Sequence, residues 1–116
     1  MAFISMFMAP VPSGNRAAYL DHASKAAEIF KDLGALEVVE TWGVDVPPGE
    51  VTSMPMAVKL QDDETVVIGW IRWPSQEVAN EAWAKMETDP RMAELAEMPF
   101  DGKRMIMGGF DVMLEV

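Results

Sequence analysis

Apolar positions along the chain follow two different periods. Tyr19, Ala23, Ala26, Phe30 and Leu33 recur at intervals of four, three, four and three residues, which predicts one buried face of a helix over about 14–33. Ser13 stands where an N-cap is wanted, and Gly34 where a left-handed residue ends the helix. Val78, Ala82 and Met86 predict a second helix, with Ser75 as its cap and Glu77 in its first turn. Asp89-Pro90 opens a short third one to about Glu97, Asp as cap and Pro at the first helical position.

Between these helices lie β-branched and aromatic runs. Residues 2–9 read as a strand closed by Pro10 and Pro12. Residues 36–42 read as a second. Met56-Ala57-Val58-Lys59-Leu60 and 66–73 read as the arms of a hairpin with Gln61-Asp62-Asp63-Glu64 at its tip, residues 54–60 being either a separate strand or a continuation of the second. Residues 103–115 read as a last strand, where Gly108-Gly109 marks a bulge or a close approach. The order β-α-β-(β)-β-α-β predicts one α+β domain over 1–116. It is a ferredoxin-like antiparallel sheet with both main helices on one face.

Alternation within the strands adds a constraint. Phe3, Ser5, Phe7 and Ala9 oppose Ile4, Met6 and Met8; Val67, Gly69, Ile71 and Trp73 oppose Val66, Ile68, Trp70 and Arg72. Both faces are apolar, and two helices cover only one. Half of the residues are apolar, in a chain of 116 residues whose folded surface should be on the order of 6,000 Å². A second copy of the chain is the simplest cover for the other face, so a homodimer is expected.

Charge narrows the partners. The net charge is −10, spread along the chain: residues 1–58 carry three Lys/Arg against seven Asp/Glu, and residues 59–116 six against twelve. Such a field repels phosphate backbones and anionic bilayers, so neither nucleic acid nor membrane is an expected partner. No cysteine is present, which removes disulfides, thiolate metal sites and a cysteine nucleophile. The apolar start lacks a basic flank and reads as a strand, not a signal peptide, and the cytoplasm is the expected compartment.

Candidate chemistry is sparse. His22, the single histidine, is either a general base or a boundary residue of the first helix. Asp62-Asp63-Glu64 is better read as a solvated turn than as a cation site, and no metal or cofactor is expected. The more informative residues are charges inside apolar strands. Glu40 shares a face with Val38 and Trp42, Arg72 with Trp70, Arg104 with Ile106 and Phe110, and Asp111 interrupts Met107 and Met113. Buried charges need partners. Converging between the sheets, these would line a pocket walled by Trp42, Trp70 and Phe110; otherwise they are ion pairs between subunits or strand-end charges in solvent.

Three functions stay open on this reading. One is a cofactor-free enzyme on a small anionic or carbonyl metabolite. There His22 or Glu40 moves a proton, and Trp42, Trp70, Arg72, Arg104 and Asp111 bind the ligand. The second is a non-catalytic small-ligand binder using the same residues. The third is a structural or protein-interaction dimer with no closed cavity.

Several stretches also carry a resemblance: Lys25-Ala26-Ala27, Gly34-Ala35-Leu36, Trp42 with Asp45-Val46-Pro47, Met56-Ala57-Val58-Lys59, Asp89-Pro90-Arg91-Met92 and, most specifically, Met98-Pro99-Phe100-Asp101-Gly102-Lys103-Arg104-Met105 with Gly108-Gly109-Phe110. In these the chain resembles the YbaA-like family of small bacterial proteins, a domain of unknown function. Thr41, where cysteine is expected, and Ser53-Met54-Pro55 depart from its pattern. The resemblance implies a dimeric α+β barrel, two ferredoxin-like protomers with their sheets face to face. It implies no activity, because the wider superfamily spans cofactor-free oxygenases, isomerases, haem enzymes and ligand-binding regulators.

Overall fold

A computed structural model describes residues 2–116. Its centre is an antiparallel pair of ten-residue strands, β1 (Phe3–Pro12) and β3 (Glu64–Trp73), in register from Phe3 opposite Trp73 to Pro12 opposite Glu64. Strand β2 (Glu37–Glu40) lies beside β3, and β4 (Ile106–Asp111) beside β1. The sheet order is β2-β3-β1-β4. Helices α1 (Arg16–Asp32) and α3 (Gln76–Met86) supply the cover, so the fold is the expected ferredoxin-like α+β sandwich.

The alternation read from the sequence sorts the faces correctly. Phe3, Ser5, Ala9 and Val11 of β1 and Val67, Gly69, Ile71 and Trp73 of β3 are buried on the helix side. They form two clusters. One holds Phe3, Ile71 and Trp73 against Ile29, Ala79, Ala82, Met86 and Leu95; the other holds Ala9, Val11 and Val67 against Tyr19 and Ala23. Phe30, Trp73 and Trp83 meet edge to face at centroid distances of 5.7–6.4 Å, a geometry aromatic quadrupoles favour. The fully buried Trp73 needs a partner for its ring N–H and donates to Ser5 Oγ at 3.1 Å. On the opposite face Met6, Ile106 and Phe110 are 38%, 44% and 53% exposed.

Local chemistry decides the helix ends. Ser75 accepts a hydrogen bond from the Val78 amide, and Asp89 from that of Arg91, as expected of caps. The Asp89-Pro90 segment winds as a 3₁₀ helix to Leu95. Ser13 does not cap α1. It lies in a 3₁₀ turn (Ser13–Asn15), and its hydroxyl pairs with Thr65 at 2.8 Å. Gly34 ends α1 at φ +110°.

Residues 56–60 are the main correction. They are not a strand arm. Ser53 caps a four-residue helix, α2 (Met54–Ala57), by accepting from the Met56 amide at 3.1 Å, with Pro55 in its first turn. A cap followed by proline outweighs the β-like apolar run, and the chain then turns through Lys59 at φ 51°. The last strand is also shorter than 103–115, because Asp101 caps a 3₁₀ turn at Gly102–Arg104 that delays it to Ile106. Gly109 is the expected close approach: a methyl there would stand 2.4 Å from the Phe3 ring.

Candidate functional site

Glu40 is the one carboxylate on the helix side of β2. Its register partner is Gly69, so it points under α1 with Val38. The Tyr19 hydroxyl, on the buried stripe of α1, donates to Glu40 Oε1 at 2.6 Å. Glycine at 69 makes the room: a methyl would stand 2.3 Å from the Phe7 ring and 2.8 Å from Glu40 Oε1. Burial pushes the Glu40 carboxyl above its ordinary value, with the Tyr19 hydrogen bond opposing in part. Burial, and then the carboxylate beside it, push the Tyr19 phenol up as well, so its proton stays on.

These two groups sit in a pocket of about 200 Å³ between the sheet and the helices. Phe7, Phe30, Ile71, Trp83 and Phe100 wall it, and Tyr19, His22 and Glu40 are its ionisable members. His22 Nε2 lies 3.2 Å from the Leu95 carbonyl, and its ring meets Phe100 edge-on at 6.3 Å. Outside lies a larger cleft of about 670 Å³ lined by polar groups including Asp21, Lys25, Glu94 and Glu97. Pocket and cleft share three wall residues, His22, Met98 and Phe100.

The structure thus brings His22 and Glu40 to one pocket and leaves the other five candidates elsewhere. Trp42 lies beyond the end of β2, with the Arg16 guanidinium 5.5 Å from its ring centroid. Trp70 and Arg72 face away from the helices; Trp70 donates to Glu37 at 3.0 Å, and Arg72 pairs with Glu115. Asp111 is exposed at the end of β4, opposite Phe3. Arg104 is held by Glu64, Asp101 and the Lys59 carbonyl. Trp42, Trp70 and Phe110 do not wall a common pocket, because Trp70 and Phe110 lie on the open face while Trp42 packs against the helix-side core. Among the described residues no group of three or more His, Asp or Glu is arranged to hold a metal ion.

Tyr19 was hidden among core positions. Its signal is a phenol on a buried stripe, one turn before the single histidine. Gly69 carries a weaker one, a glycine inside a strand with apolar neighbours on both sides.

Comparison with known proteins then places the chain. The model of the DUF1428 family, described as a protein of unknown function, matches residues 2–102. The chain belongs to the DUF1428 family. Two relatives, both the uncharacterized protein YbaA, from Escherichia coli and Shigella flexneri, are each 50% identical over 116 residues, covering 99% of both chains. Solved structures show the fold of this DUF1428 chain at lower identity. A dimeric ferredoxin-like protein from an uncultured marine organism superposes with TM-score 0.64 at 14% identity, covering 99% of this chain and 98% of its own. SnoaB, a cofactor-independent oxygenase from Streptomyces nogalater, gives 0.61 at 14%, covering 98% and 96%. A putative antibiotic biosynthesis monooxygenase from Bacillus cereus gives 0.56 at 17%, covering 99% and 96%. No helix among the described residues is long and apolar enough to cross a membrane.

Proposed function

We propose that this protein is a cofactor-free enzyme that shifts a proton on a small carbonyl compound, with Glu40 as the base. The observation that carries this reading is the Tyr19–Glu40 hydrogen bond inside an otherwise apolar pocket. Partial desolvation makes Glu40 a stronger base than a carboxylate in water. Tyr19 occupies Oε1 and so leaves Oε2 to react. In the ketone-to-enol direction a C–H bond beside the carbonyl breaks and its proton goes to Glu40. The electron pair moves through the new C=C bond onto the carbonyl oxygen, which then takes the proton. Atoms and electrons balance without a co-reactant. That a protein of this fold is described as a cofactor-independent oxygenase supports the fold as a host for chemistry without a cofactor.

Proton NMR of acetophenone in D₂O tests this. Wild type should speed loss of the methyl signal, and Glu40→Gln should reduce the enzymatic rate by about 10²–10⁴-fold. A wild-type rate equal to buffer, or an undiminished variant, overturns it. Saturable binding without exchange would instead favour the non-catalytic binder.

The open sheet face supports a homodimer through β1, β3 and β4. The chain exposes 7535 Å², above the roughly 6,300 Å² typical of a monomer of 12.8 kDa. Met6, Ile106 and Phe110 stand on that face, and a neighbour of the same fold is described as dimeric. Sedimentation at low micromolar concentration should give twice the chain mass, and Phe110→Asp should halve it; a folded wild-type monomer sinks the idea.

A further inference from the structure

The pocket's inventory of donors and acceptors specifies its ligand more closely than the proton shift does. We infer that it takes an uncharged molecule the size of one aromatic ring bearing a single hydroxyl, an enol or its phenolic equivalent, admitted from the outer cleft past His22, Met98 and Phe100. This rests on the pocket's being the functional site, but not on Glu40 performing chemistry.

Size comes first. About 150 Å³ is enough for benzene in a protein interior, so about 200 Å³ holds one ring and a substituent, and a second ring would have to lie outside in the cleft. Charge comes next. No lysine or arginine lines the pocket. Arg72 and Arg104, the cations available to an anion in the sequence reading, are engaged with Glu115 and with Glu64 and Asp101. An anion inside would lose its hydration, gain no counter-charge and lie beside Glu40. An ammonium is limited on a different count. It carries three diverging donors, and with His22 Nε2 against the Leu95 carbonyl the acceptors it meets are the remaining lone pairs of Glu40, all on one side. Unsatisfied N–H groups would be left in an apolar chamber. A single hydroxyl fits, with one donor for Glu40 Oε2 and a ring for the aromatic walls.

The way in follows from the shared wall. The outer cleft mixes charged and apolar groups, the inner pocket is mostly apolar, and His22, Met98 and Phe100 border both. Met98 is 46% exposed, so its side chain can swing without opening the core.

The test is calorimetric titration of the full chain at pH 7 with phenol, benzoate and benzylamine. Phenol is a ring locked in the enol form and stays neutral there, since such hydroxyls ionise near about 10. Phenol should bind saturably, at least tenfold more tightly than either charged probe, and Ala26→Phe should abolish its binding by filling the pocket. Should that variant not fold, Met98→Trp, at the exposed shared wall, is read in its place and should reduce phenol binding at least tenfold. Binding of benzoate or benzylamine within tenfold of phenol overturns the inference. Absence of phenol binding, or phenol binding undiminished in the folded filled variant, does the same. Discrimination among probes without proton exchange leaves the inference and removes the base; exchange together with tight benzoate binding does the reverse.

Discussion

Arg104 grips Glu64 through two parallel hydrogen bonds, Nη1 to Oε1 at 2.7 Å and Nη2 to Oε2 at 2.6 Å. This fork joins the turn before β4 to the start of β3, forty residues away, and the Glu64 side chain is only 5% exposed. Arg104 is therefore a brace. Arg104→Met should lower the urea midpoint without changing the slope, and leave phenol affinity unchanged.

The brace has a pH signature. The Arg104 hydrogen bond holds the Glu64 carboxyl below its ordinary value of 4.5, and Arg104 lowers Asp101 in the same way. A depressed carboxylate contributes stability that is present above the unfolded value and lost as pH falls through the folded one. Wild type should lose stability as pH drops below about 4.5, and Arg104→Met should lose less over that window. Urea titrations at pH 3–6 check the difference.

Glu40 has the opposite sign. Its folded value is raised, so its favourable contribution is present below 4.5 and lost as pH rises through the folded value. The stability of Glu40→Gln relative to wild type should therefore grow as pH rises from 4.5 upward. A difference that shrinks over that range would mean the carboxylate is better solvated than its burial indicates.

Gly69→Ala should destabilise by about 1–3 kcal/mol, because the methyl meets the Phe7 ring and the Glu40 carboxylate at once. Proton exchange should fall with it. The check is thermal unfolding combined with the acetophenone assay; an unchanged exchange rate would show that the carboxylate's position does not matter.

Ser5→Ala strands the Trp73 ring N–H in the core. A buried donor without a partner costs about 1–3 kcal/mol. Chemical unfolding should show that loss, whereas Ser24→Ala, at an exposed helix position, should show almost none.

The parts of this molecule legible in the sequence are those decided by neighbours. Strand alternation groups Phe3, Ser5 and Phe7 on one face without any knowledge of the partner strands, and Ser75 and Asp89 announce their caps within three residues. Residues 56–60 were illegible because two local signals conflict there, an apolar run and a Ser53–Pro55 helix start. The site was half legible. Glu40 stands out as a charge among apolar strand positions, but its partner Tyr19 lies 21 residues earlier on a stripe that reads as core. Arg72 and Arg104 look like ligand groups until Glu115 and Glu64, both more than 39 residues distant, are seen to hold them.

Strand β3 sends Gly69 and Ile71 toward the pocket and Ile68 and Trp70 toward the open face. The pocket's walls therefore belong to one chain, and two of them, Phe7 and Met107, also border the apolar depression on the open face beside Ile106 and Phe110. Stoichiometry follows: one ligand per chain, in a monomer or in any larger assembly. Titration curves read whether that shared wall transmits: independent pockets give a hyperbola, and coupling through Phe7 and Met107 gives a departure from one.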